Sequence, residues 1–238
     1  MISVVKRNGV VEPLNLDKLH RMVEFACDGL AGVSESAIEM NSNLQFYEHI
    51  MTSDIQEILI KSANDLITLE QPNYQYVAAR LLLFSYRKSV YKGHPDNPPP
   101  LIEHIKECIA KGVYDPDLIK QYSEEEWSEL HDFIDWDRDY LFTYAGLRQV
   151  VDKYLVQDRS TGEVFETPQQ MYMLIAATLF QNYPIESRID YVKRYYNSIS
   201  KHRINIPTPV MAGVRTPIRQ FASCVLVDID DTLDSIFS

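Results

Sequence analysis

Three cysteines, Cys27, Cys108 and Cys224, are the thiols available to this chain. A thiol can supply electrons by closing a disulfide, act as a nucleophile or bind a soft metal. Here the three lie far apart with no Cys-x-x-Cys pair, which supports neither a secreted disulfide framework nor a zinc ribbon. Cys27 and Cys108 fall on helical apolar periodicity and read as small core residues. Cys224 differs, because Arg219-Gln220-Phe221-Ala222-Ser223-Cys224 leads into the apolar run Val225-Leu226-Val227. By residue type alone it is a buried strand cysteine. Upstream, Thr208 stands between Pro207 and Pro209, whose fixed φ would stiffen a loop presenting a hydroxyl donor. The cations Lys6, Arg7, Lys18 and Lys88 are by type alone solvated surface residues.

The bulk properties narrow what these groups could serve. With 238 residues and 45% hydrophobic composition, the chain is expected to form two domains. The 23 basic and 34 acidic residues give a net charge of -11 with no basic stripe, which argues against nucleic acid as a direct partner. No signal-peptide pattern opens the sequence, and the longest apolar run, Met171 to Phe180, is too short to span a bilayer. A cytoplasmic protein that does not engage a membrane is the expectation.

The elements that must position these residues are mostly helices. Ile2 to Arg7 and Val10-Val11 flank Asn8-Gly9, a hairpin signal. Asn15 is placed to cap a helix bearing Leu19, Met22, Val23, Ala26 and Leu30, with Gly29 at its end. Ser53 and Gln56 suggest a capping box opening a second helix, and a third is expected from about Asn73 to Tyr91. The run His94-Pro95-Asp96-Asn97-Pro98-Pro99-Pro100 fits neither helix nor central strand and marks a domain boundary. Helical signals then recur from Leu101 to about Tyr154, with a stop at Lys111-Gly112 and a capping box from Ser123 to Glu126. A hairpin is expected at 154–157 and 164–166, followed by a helix launched by Thr167-Pro168-Gln169-Gln170 and another from Glu186 to Ser200. Tyr172, Tyr183, Tyr191, Tyr195 and Tyr196, at helical spacing, read as core or interface residues and not as redox relays.

Two stretches resemble a known family. Val5-Lys6-Arg7-Asn8-Gly9, Glu12-Pro13-Leu14-Asn15-Leu16-Asp17-Lys18, Met51-Thr52-Ser53-Asp54 and Tyr86-Arg87-Lys88 resemble the ATP-cone of ribonucleotide reductases. Asn205-Ile206-Pro207-Thr208-Pro209 and Gln220-Phe221-Ala222-Ser223-Cys224 resemble the first active-site segment of the aerobic large subunit, in bacterial and phage enzymes. The resemblance implies a mainly α chain. An ATP-cone, a small β-sheet over a helical bundle, would occupy 1–92 and a Pro-rich linker 93–100. The helical part of the catalytic domain would occupy 101–220, and 221–238 the first strand of a ten-stranded α/β barrel with the start of the specificity-site segment. It also implies an allosteric site for ATP or dATP with Mg. In that site Lys6, Arg7 and Lys88 would meet phosphates, Thr52 would offer a hydroxyl beside them, and Glu12, Pro13, Leu14, Asn15, Leu16, Asp17 and Lys18 would line the base and sugar.

By the same resemblance Thr208 and Ser223 would touch the substrate, a ribonucleoside diphosphate. Cys224 would be one half of a redox pair whose second thiol lies outside this chain. Asp231, Thr232 and Leu233 would begin the site for a specificity-setting deoxynucleoside triphosphate. The implied partners are the remaining large-subunit polypeptide, a second large subunit, a small subunit carrying a di-iron tyrosyl radical, and thioredoxin or glutaredoxin. An excised piece, a truncated gene and a subunit divided over two polypeptides would all give this sequence, and the divided subunit, inactive alone, is the expectation. The alternative is a nucleotide-sensing cone module without catalysis. Many bacterial relatives carry histidines where this chain has Gln56 and Ser85, so a weakened inhibitory response to dATP is expected as well.

Overall fold

The structure, a computed structural model, describes residues 2–6 and 8–237. It opens on β1 (Ser3–Val5) and β2 (Val11–Pro13), antiparallel with Val5 opposite Val11, as the Asn8-Gly9 signal predicts. Gly9 adopts φ 81 in the turn, a conformation that suits glycine. Asn15 caps α1 (Leu16–Cys27) by accepting the Lys18 amide at 3.0 Å. The sequence reading missed α2 (Glu35–Asn43), capped by Ser34, and β3 (Ile50–Met51). β3 lies parallel to β1, with Val5 opposite Met51, giving the sheet order β2-β1-β3.

From β3 the chain turns directly into α3 (Thr52–Asp65), whose N-cap Met51 offers no side-chain cap. The capping box expected from Ser53 and Gln56 does not form. With no spacer after the strand the helix has already begun at Thr52, so Gln56 falls on the inner face and donates to the Leu81 carbonyl at 2.8 Å. That carbonyl belongs to α4 (Tyr74–Val90), the longest helix of this half, which packs on α1 and α3 around Val23, Leu59, Val77 and Leu81. The β-sheet over a helical bundle agrees with the expectation.

Beyond the prolines come α5 (Leu101–Ala110), α6 (Leu118–Gln121), α7 (Glu124–Phe133), a 3-10 turn (Trp136–Leu141) and α8 (Tyr144–Lys153). The Ser123–Glu126 capping box is present, with Glu126 Oε2 accepting the Ser123 amide at 2.7 Å. The expected hairpin is reduced to β4 (Gln157–Asp158) and β5 (Glu163–Val164). α9 (Pro168–Phe180) begins with the predicted Thr167–Gln170 capping box and is buried from Pro168 to Thr178 on every face. It is therefore the axis on which this half is assembled, and α10 (Ile185–Ser200) packs against it. Tyr172 and Tyr196 are buried, while Tyr183 and Tyr191 pack around Phe180 at the surface.

Thr208, expected in a stiffened loop, instead starts the short helix α11 (Thr208–Gly213), where Pro209 sits in the first turn and needs no amide partner. The strand expected near 225–228 has no ladder here. Residues 221–230 are exposed and irregular, with Leu226 wholly so, because a strand requires a neighbour. A last helix, α12 (Leu233–Phe237), follows. Among the described residues no helix is long and apolar enough to cross a membrane.

Candidate functional site

The short sheet brings together residues that lie far apart in sequence. Because Val5 is opposite both Val11 and Met51, β1 and β3 end at the same edge of the sheet, and Lys6 and Thr52 are the residues that follow them in the chain. Lys6 reaches diagonally across the hairpin to Glu12, with Nζ to Oε2 at 2.8 Å. That contact holds the Glu12 carboxyl below its ordinary range. Both partners are solvent-accessible, so the pair is weak and Lys6 can turn toward a stronger anion at little cost.

Helix geometry places the end of α4 at the same edge. α3 and α4 form a helical hairpin in which Gln56 meets Leu81. Moving one turn back along α3 and one turn forward along α4 sets Thr52 opposite Ser85, with exposed Lys88 in the last turn beyond. The N-terminus of α3 at this edge has no side-chain cap, and the partial positive charge of a helix start favours an anion. Toward the other end of the sheet the Leu14 amide bonds the Ile2 carbonyl, and Asn15, Leu16, Asp17 and Lys18 form the first turn of α1. Leu16 is more than half exposed, as is Val11. One end of a strip about 10 Å long thus carries Lys6, Thr52 and the last turn of α4, the other the first turn of α1, with Glu12 and Pro13 between. Arg7 lies outside the described residues.

Near the C-terminal end the predicted residues are not gathered. Thr208 is exposed at the start of α11, Ser223 and Cys224 lie on the irregular segment with their Oγ and Sγ atoms 3.8 Å apart, and Cys224 is a free, exposed thiol. Thr232 caps α12 by accepting the Ser235 amide, between exposed Asp231 and Leu233. Cys27 and Cys108 are buried, and burial pushes their thiols up to about 11 and about 12, where they are inert. Among the described residues no three His, Cys, Asp or Glu side chains come together to hold a metal.

What precedes Cys224 is firmly held. Arg215 is wholly buried and meets Glu166, also wholly buried, while donating to the Met211 carbonyl and, at 2.9 Å, to the Tyr154 carbonyl. Glu166 in turn accepts the Tyr114 hydroxyl at 2.6 Å and the Val156 amide at 2.7 Å. Arg219 pairs with Asp115, whose amide bonds the Arg215 carbonyl at 3.0 Å. Sequence reading did not find this clamp. The one signal available was an arginine directly after the apolar run Val210-Met211-Ala212-Gly213-Val214.

A small sheet with a cation and a helix start at one end, packed on a helical bundle and joined to a helical body built on a buried helix, is the arrangement to be compared with known proteins. Residues 2–89 match the ATP cone domain family, and residues 140–219 match the family described as ribonucleotide reductase, all-alpha domain. The ribonucleoside-diphosphate reductase subunit alpha of Haemophilus influenzae is 52% identical over 235 residues, and the reductase 1 subunit alpha of Escherichia coli 51%. That of Enterobacteria phage T4 is 42% identical over 238 residues. Each alignment covers 99% of this chain and 31% of the relative. The chain thus matches the N-terminal part of ribonucleoside-diphosphate reductase alpha subunits and spans about a third of the length of these relatives.

Proposed function

We propose that this chain provides the effector-binding domain, the helical entry to the catalytic domain and one redox cysteine of a ribonucleoside-diphosphate reductase. The observation that carries this reading is its alignment along 99% of its length with relatives of that name at about half identity. The rest of the barrel, on whichever polypeptide, and a radical-bearing small subunit would complete the enzyme. ATP or dATP would lie along the cone strip, its phosphates at Lys6, Thr52 and Lys88, with Arg7 beside them, and its base and sugar toward Glu12 and Asn15 to Lys18. Cations and helix amides suit an anion of several charges. Magnesium would arrive on the triphosphate.

In the catalytic half, Thr208 and Ser223 would donate hydrogen bonds to a ribonucleoside diphosphate. Cys224 and a second thiol would together give up two electrons and two protons as they close a disulfide, while the 2'-oxygen leaves as water. Thioredoxin or glutaredoxin would restore the thiols. Asp231, Thr232 and Leu233 would join a second large subunit around the specificity effector. The Arg215–Glu166 clamp supports this reading, since it anchors the chain just before residues that must be held to a fraction of an ångström.

The test is reconstitution of the complete alpha subunit with its small subunit and measurement of deoxyribonucleotide formation. Cys224→Ser should abolish turnover and leave ATP binding intact. Turnover by the variant would remove the redox assignment. Activity of this chain alone would refute the reading. A complete enzyme that shows nucleotide binding but no reduction would favour a sensor module.

A further inference from the structure

We propose that α4 is the coupling element between the effector site and the helical domain, working through Arg87 and the Asp139–Gln169–Tyr196 relay. This rests on the reading of the cone as a nucleotide site and adds how occupancy there is felt elsewhere.

Arg87 and Lys88 are consecutive in the last turn of α4 and so point about 100° apart. Lys88 is exposed, whereas Arg87 is buried and crosses into the other half of the molecule. Its guanidinium donates to the Trp136 carbonyl at 2.6 Å, to Asp139 Oδ2 at 3.0 Å and to the Tyr140 hydroxyl at 3.1 Å, all on the 3-10 turn. The Asp139 side chain is wholly buried. Its other oxygen accepts Gln169 Nε2 at 2.9 Å, at the start of the central helix α9. Gln169 Oε1 then accepts the Tyr196 hydroxyl of α10 at 2.7 Å, and that hydroxyl also receives the Asp135 amide at 3.1 Å.

The 3-10 turn reaches back as well. Tyr140 lies under both Arg80 and Arg87 of α4, 5.7 and 5.2 Å from their guanidinium carbons, and meets Phe25 of α1 edge-on. Tyr91, just past α4, shares a hydrogen bond of 2.9 Å with Thr167, the cap of α9. One helical turn therefore holds a candidate phosphate contact on one side and the start of a buried polar chain on the other. Buried polar chains have few alternative arrangements, because any break strands a group without a partner. A nucleotide that fixes the last turn of α4 should fix the relay with it, and by linkage the relay should set nucleotide affinity by the same factor.

Hydrogen exchange on the full chain, with and without ATP and magnesium, tests this. The expected result is slower exchange in the 4–11 hairpin together with a slowing of about fivefold or more in 136–141 and the first turn of α9. In Arg87→Lys, which keeps charge but loses the fork, and in Tyr140→Phe, which removes one hydroxyl, the hairpin effect should remain while the remote effect falls below about twofold. If Arg87→Lys does not fold, Tyr140→Phe decides. Hairpin protection in the unsubstituted chain without a remote change overturns the coupling and leaves the nucleotide site standing, as does a remote effect that survives both variants. No protection anywhere overturns the nucleotide reading and this inference with it.

Discussion

Replacing Arg215 by methionine is the most direct test of the clamp that precedes Cys224. The substitution keeps much of the volume but removes every donor. Glu166, fully buried, would keep the Tyr114 hydroxyl and the Val156 amide yet lose its counter-charge. A buried ion stripped of its partner costs about 3–5 kcal/mol, against a total domain stability of about 5–15 kcal/mol. Adding Glu166→Gln removes the stranded charge. The amide oxygen can go on accepting from Val156, and the Tyr114 hydroxyl can turn to accept from the amide nitrogen. The double variant should then fall short of the parent by only about 1–2 kcal/mol, the scale of an altered hydrogen bond. The second substitution should thus stabilise the first. Urea unfolding followed by tryptophan fluorescence measures this cleanly, because Trp127 and Trp136 both lie in the helical half. A loss below about 1 kcal/mol for Arg215→Met, or a double variant no better than the single, would refute the argument.

Burial lowers the His104 imidazole to about 4 from its ordinary 6.5. Between those values the unfolded chain takes up a proton that the folded one refuses. The helical half should therefore keep its full stability above about pH 6.5 and lose about 3 kcal/mol as the pH falls to about 4. The same unfolding assay reads that slope, and His104→Gln should flatten it. Asn15→Ala removes the acceptor of the Lys18 amide and should cost α1 about 1 kcal/mol, visible as faster exchange of its first-turn amides. Gln56 donates to the Leu81 carbonyl where many bacterial relatives carry a histidine, so in a reductase completed as proposed, raising dATP at fixed ATP should inhibit weakly or not at all. Strong inhibition would contradict this.

What the sequence disclosed was local. The Asn8-Gly9 hairpin, the Asn15 cap and the boxes at Ser123–Glu126 and Thr167–Gln170 are each decided by residues within a turn of one another, and all form as read. The Ser53–Gln56 box failed because a strand, invisible in the two residues Ile50-Met51, moved the helix start. α2 was within reach, since Ser34 before Glu35 is a cap signal. The candidate effector residues were found through likeness to a family, and their grouping depends on the parallel pairing of β1 with β3, which no periodicity announces. The Arg87–Asp139 and Glu166–Arg215 contacts, 52 and 49 residues apart, join single charged residues across the fold and leave no pattern in the chain.

The pairing of Val4 with Ile50 also bears on the order in which the cone can assemble. A parallel ladder cannot be closed by a tight turn. The whole intervening stretch, with α1 and α2, has to be gathered before the two strands meet. The edge where β1 and β3 end together is accordingly complete only once that stretch is in place. A nucleotide bound there as proposed would favour completed domains, and at a concentration one hundred times its dissociation constant it would add about 2.7 kcal/mol to their stability. The effector would then serve as a quality check on the newly made protein before it served as a signal.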